Sequence, residues 1–163
     1  INSVSLAVAG ALCFLHEHNI VHRDVKPENI LVRTFSPPSG EIDPRNLCLA
    51  DFDLCIFEQV IIPTDNCGTL AYMAPELFTS STYSYPVDMY SFGMCLLCLL
   101  LGHHPYLKNM SARLDRGAVF LCMERWERQP TTSLDLEKDI LRSLLTEDPR
   151  NRLTAAEWLA ARH

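Results

Sequence analysis

Apolar residues recur at Val4, Val8, Leu12 and Leu15, the spacing of one helix face, so the chain opens with a predicted helix that Asn2 or Ser3 can cap. Two short strands are expected next, over Asn29 to Arg33 and Asn46 to Ala50. Between them the stretch from Phe35 to Pro44 holds three prolines and a glycine, and reads as a solvated surface loop. Past Asp88 the pattern is helical. Met94 to Leu101 is a continuous apolar run, and Leu136, Ile140, Leu141, Leu144 and Leu145 form one stripe. Thr154-Ala-Ala-Glu157 reads as a capping box, with Leu153 and Trp158 as the hydrophobic staple around it. The expected architecture is mostly α, α+β overall, with a short β-hairpin and neither internal repeat nor low-complexity tract.

At 163 residues the chain suits one domain, 1–163, large enough to bury roughly 70% of its unfolded surface. A net charge of -6 argues against nucleic acid as the main partner, since phosphate binding leans on clustered Lys and Arg. Seven cysteines, scattered through apolar segments and odd in number, favour a reducing, intracellular and cytoplasmic setting. Cys95-x-x-Cys98 lies inside the Met94 to Leu101 run, where thiols pack as small apolar groups. That run is too short to span a bilayer, which needs about 20 apolar residues. Ser5 to Leu15 has no basic segment before it and is followed by His16-Glu17-His18, so it reads as a buried helix and not as a signal peptide. His16, His18 and His22 lack a cysteine or carboxylate that would complete a metal site.

The most informative stretch is His22-Arg-Asp-Val-Lys-Pro-Glu-Asn29, which sets an acid, a base and an amide within six positions of a proline-stiffened loop. A hydroxyl attacking a γ-phosphate needs a carboxylate to orient it and take its proton, as Asp24 can. Lys26 can offset charge developing on the phosphoryl group, and Asn29 with a later aspartate can supply oxygen ligands to a metal.

The run resembles the catalytic loop of eukaryotic protein kinases, and the lysine two residues after the aspartate resembles their Ser/Thr branch. Asp51-Phe52-Asp53 stands where that family has Asp-Phe-Gly. Cys67-Gly68-Thr69 and Tyr72-Met73-Ala74-Pro75-Glu76 resemble the end of its activation segment, Asp88 to Gly93 the start of its central helix, and Asp148-Pro149-Arg150-Asn151-Arg152 the turn before its last helix. The order and near-correct spacing of these motifs cover almost the whole chain. The match is to the larger, C-terminal lobe alone: no Gly-x-Gly-x-x-Gly loop and no strand lysine occur, and the first residue is Ile1, so the chain is expected to be part of a longer one.

The resemblance implies ATP and Mg2+ as cofactors and a protein carrying a Ser or Thr acceptor as substrate. It gives Asp24, Lys26, Asn29 and Thr69 catalytic places, Lys26, Glu28, Asn29, Leu31 and Asp51 the nucleotide, and Asn29 with Asp51 the metal. Glu76 and Arg152 look like the family's buried ion pair, and Asp88 like the acceptor of catalytic-loop amides. His22 and Phe52 resemble two members of its stacked apolar column. Arg23 would receive an activation-loop phosphate, for which Asp65, beside Thr64, could be a partial mimic. Asp53 departs from glycine, as it does in the MAP-kinase-interacting subfamily; if position 53 takes positive φ, the side chain costs roughly 1 kcal/mol and favours an inactive arrangement. A Ser/Thr protein kinase is the first functional expectation, and a non-catalytic, kinase-like interaction module the second.

Overall fold

The computed structural model describes residues 2–34, 42–57, 68–80, 82–105, 116–128 and 135–162. Helix α1 runs from Asn2 to Glu17 and buries Ser5, Val8, Ala9, Leu12 and Leu15 along one face. Asn2 lies inside its first turn instead of capping it: Ser5 Oγ donates to the Asn2 carbonyl at 3.0 Å, and Arg162 Nη1 donates to Asn2 Oδ1 at 3.1 Å, tying the two ends of the described chain together.

Four very short strands follow, β1 (Ile20–Val21), β2 (Ile30–Val32), β3 (Leu47–Leu49) and β4 (Ile56–Phe57). The expected hairpin is β2 against β3, antiparallel, with Ile30 opposite Leu49 and Val32 opposite Leu47. A second ribbon, β1 against β4, was not legible in the sequence, because two residues a side carry no periodicity. The two pairings are nested, and that decides where the chemistry sits. The loop from β1 to β2 and the loop from β3 to β4 are forced alongside each other, and Ala50 N donates to the Asn29 carbonyl at 2.8 Å between them.

Of the expected 35–44 loop, residues 35–41 lie outside the described residues, and the remainder leads into a 3₁₀ turn, Pro44–Asn46. Asp-Pro-Arg-Asn recurs at Asp148 to Asn151 with the same outcome. In each copy the aspartate accepts the arginine's backbone N–H and pairs with its guanidinium, and proline fills the first helical position, where no N–H is needed.

Helix α2, Pro86–Leu101, is the centre of the core: every residue from Val87 to Cys98 is buried, Asp88 and Ser91 among a mainly apolar set. Burial pushes the Cys98 thiol up to about 11 and that of Cys95 well above its ordinary value, so both are neutral packing groups. Helices α3 (Arg116–Glu127), α4 (Asp135–Leu144) and α5 (Ala155–Ala160) complete the described helices. Helix α4 crosses α2 closely because position 93 is glycine; a Cβ there would lie 2.9 Å from Leu144 Cβ. The Leu136 side chain of the expected α4 stripe lies outside the described residues, while Ile140, Leu141 and Leu144 are buried. The capping box forms, with Thr154 Oγ1 accepting from Glu157 N and Glu157 Oε2 accepting from Thr154 N, and Trp158 packs edge-on to Phe92 with ring centroids 5.4 Å apart. Among the described residues no helix is long and apolar enough to cross a membrane.

Candidate active site

Asp24 stands on the loop between β1 and β2, just ahead of a 3₁₀ turn, Pro27–Asn29, and is 6% exposed. Four donors meet its carboxylate, two on each oxygen. Thr69 donates to Oδ1 twice, through its backbone N–H and its hydroxyl, each at 2.9 Å. Lys26 Nζ donates to Oδ2 at 2.5 Å and Asn29 Nδ2 at 3.1 Å. Lys26 also donates to Thr69 Oγ1 at 2.9 Å, which closes the set. Burial alone would push the Asp24 pKa up, but the hydrogen bonds from Lys26 and Thr69, with the lysine charge, outweigh it and hold the carboxyl below the ordinary aspartate range.

Thr69 reaches Asp24 because of its neighbour. Gly68 has φ +106, and a Cβ built on it would lie 2.6 Å from the Arg23 carbonyl oxygen. Only glycine lets the chain pass that close to the 22–26 loop in that conformation.

The loop itself is anchored from α2. Asp88 is fully buried and accepts the backbone N–H groups of His22 and Arg23, both at 2.8 Å, one on each oxygen. His16 Nε2 is 3.0 Å from Asp88 Oδ2. That contact spans 72 residues, and no sequence signal pointed to it. The three histidines set aside as metal ligands have separate partners: His16 meets Asp88, His18 Nδ1 meets the Phe14 carbonyl at 2.7 Å, and His22 Nε2 meets the Ala50 carbonyl at 3.2 Å. His22 and Phe52 do touch, edge to face, with centroids 5.2 Å apart.

Asp51 opens the neighbouring loop, is exposed, and has φ +66. This corrects the expectation for Asp53. Among the described residues the left-handed non-glycine positions are Asn19, Arg23 and Asp51, so the chain bends at the first aspartate as it leaves β3, and Asp53 carries no left-handed strain. The conformational cost expected of Asp53 at positive φ therefore does not arise.

Arg23 Nε donates to the Leu54 carbonyl at 2.5 Å and its Nη1 to the Tyr83 hydroxyl at 3.1 Å. Thr64 and Asp65, its expected partners, lie outside the described residues. Glu28 is exposed on the 3₁₀ turn, and Leu31 is 50% exposed on β2.

Glu76 and Arg152 meet as a bidentate pair, Nη1 on Oε1 and Nη2 on Oε2, the latter at 2.8 Å. Every other guanidinium N–H is also used, on the carbonyls of Thr146, Pro86 and Glu147 at 2.8 to 3.0 Å.

The donor set suits a hard cation and its phosphates. Asn29 spends both amide N–H groups on Asp24, on the backbone carbonyl at 2.8 Å and on Oδ2, so Oδ1 is the atom it can offer a metal, and Asp51 offers a carboxylate from the adjoining loop.

Residues 1–163 match the protein kinase domain family. Among curated proteins the chain is similar to the calcium/calmodulin-dependent protein kinase cmkB of Emericella nidulans, 35% identical over 161 residues, covering 94% of this chain and 37% of that one. It is 37% identical over 154 residues to the calcium/calmodulin-dependent protein kinase type I of Schizosaccharomyces pombe, covering 91% and 44%. It is 36% identical over 155 residues to the human calcium/calmodulin-dependent protein kinase type IV, covering 91% and 31%. The chain thus spans less than half the length of each of these relatives. A match along all 163 residues, over a site built from the same succession of segments, leads to one assignment: the chain belongs to the protein kinase domain family.

Proposed function

We propose that this chain is the larger, C-terminal lobe of a Ser/Thr protein kinase, which moves the γ-phosphoryl group of ATP to a serine or threonine hydroxyl of a protein. The observation that carries the reading is the Asp24 carboxylate, kept ionised by two donors on each oxygen and joined through them to Lys26, Asn29 and Thr69. In this reading Asp24 orients the acceptor hydroxyl and takes its proton, and Lys26 offsets charge on the phosphoryl group. Thr69 fixes both, while Asn29 and Asp51 would hold Mg2+. Magnesium-ATP, when bound, supplies the transferable phosphoryl group and neutralises part of its charge. Glu28 and Leu31 would lie on the nucleotide side of the site. Relatives whose names read serine/threonine-protein kinase support the Ser/Thr class. An intracellular setting fits six described cysteines that are all free thiols.

The test is to incubate the full-length protein with ATP, Mg2+ and a peptide mixture containing Ser, Thr and Tyr, then to analyse the phosphoamino acids. Phosphoserine or phosphothreonine is expected. Phosphotyrosine alone overturns the acceptor class, and no transfer overturns the enzyme reading in favour of a kinase-like binding module.

A further inference from the structure

Two of the three left-handed non-glycine residues flank β1: Asn19 with φ 59 just before it, and Arg23 with φ 69 just after. Non-glycine residues hold such conformations only where their surroundings over-determine them. Here each side chain is tied to a tyrosine hydroxyl from one short segment ahead of α2. Tyr85 Oη donates to Asn19 Oδ1 at 3.0 Å, and Arg23 Nη1 donates to Tyr83 Oη at 3.1 Å. The tyrosines are separated by Ser84 alone, so a single stretch of backbone reaches both ends of the strand. The same stretch leads to Asp88, which accepts the amides of His22 and Arg23, and the Tyr85 ring lies 4.8 Å from that of His16, the side-chain partner of Asp88.

Asp24 follows Arg23 directly, so the conformation of Arg23 sets the direction in which the Asp24 side chain leaves the loop. Arg23 also donates through Nε to the Leu54 carbonyl, on the loop that begins at Asp51. Its guanidinium therefore joins the two loops of the site, and the Tyr83 hydroxyl holds that guanidinium from the segment ahead of α2.

We infer that Tyr83 and Tyr85 are positioning residues for Asp24: a pair of hydroxyls that hold the two left-handed ends of β1, with Tyr83 fixing Arg23 between the Asp24 and Asp51 loops. Neither touches the reacting groups. The catalytic part of this inference rests on the proposed role of Asp24; the clamp itself does not.

The experiment uses the full-length protein with Tyr83→Phe, Tyr85→Phe, Arg23→Ala and the Tyr83→Phe, Arg23→Ala combination. Steady-state kinetics, hydrogen exchange over residues 19–25 and thermal melting are measured on each. Phenylalanine keeps the ring, so the variants remove the hydroxyl alone. Tyr83→Phe is expected to lower kcat about 10-fold while both KM values stay within about twofold, since displacing a group by a fraction of an ångström affects the chemical step more than binding. The amides of His22 and Arg23 should exchange faster in both tyrosine variants with little change in melting temperature. Combining Tyr83→Phe with Arg23→Ala should be no worse than Arg23→Ala alone. Unchanged kcat and unchanged exchange in both tyrosine variants would overturn the inference, as would effects of Tyr83→Phe and Arg23→Ala that multiply. If the unmodified protein transfers no phosphoryl group, the kinase reading fails on that result, and the exchange data still decide the clamp: faster exchange supports it, unchanged protection overturns it.

Discussion

Lys26 and Thr69 together reverse the effect that burial has on Asp24, and the sign of its pH dependence follows from that. With a folded pKa below the unfolded value of about 3.9, Asp24 contributes stability that is present above that value and lost as pH falls through the folded pKa. Lys26→Met removes the leading opposing contribution, so the Asp24 titration, followed by carboxyl carbon NMR shifts, should move to higher pH. A midpoint that stays or falls contradicts the account. Gly68→Ala should destabilise the chain by about 1 to 3 kcal/mol in urea unfolding, because the left-handed backbone and the 2.6 Å approach to the Arg23 carbonyl must both be relieved. A variant as stable as the parent would show that the 68–69 backbone can move away from Asp24 freely. Of this site, Asp24, Lys26 and Asn29 were legible from the sequence because six positions confine them to one loop. Thr69 was reached only through family resemblance, since contacts 43 to 45 residues apart leave no spacing pattern. His16 was missed for the same reason, and the left-handed position falls at Asp51 and not at Asp53 because φ is set by the path out of β3, which no single residue type reveals.

At the scale of elements, periodicity revealed α1, the apolar α2 and the α5 capping box, each long enough or distinctive enough to carry a pattern. It could not reveal the β1–β4 ribbon, whose partners are two residues long and lie 35 to 37 positions apart. That ribbon matters because nesting it around β2–β3 brings the Asp24 and Asp51 loops together. The junction behind the site depends on Arg152, fully buried and using all five of its donors between Glu76 and three carbonyls. Arg152→Met leaves Glu76 buried without its cation and should cost about 3 to 5 kcal/mol by urea unfolding. Adding Glu76→Gln should recover part of that loss. A cost under about 1 kcal/mol would mean that solvent reaches the pair and that it does not lock the segment carrying Glu76 to the turn before α5.

As a whole molecule, the chain presents an open surface around its proposed chemistry: Leu31, Val32 and Phe52 are 50%, 46% and 51% exposed. Binding sites enclose most of a ligand's area, and this surface alone does not. The 163-residue chain should therefore give no saturable heat with micromolar Mg-ATP in a calorimetric titration, and micromolar affinity would contradict the reading that this surface is too open to hold the nucleotide. The central claim is that Asp24 serves the transfer step and not nucleotide binding. It is tested most directly by comparing kcat and nucleotide Kd for the full-length protein and its Asp24→Asn variant. Asparagine keeps the shape and loses the proton acceptor, so kcat should fall about 100-fold to 10,000-fold with Kd nearly unchanged. An undiminished kcat, or a loss explained wholly by weaker nucleotide binding, would contradict it.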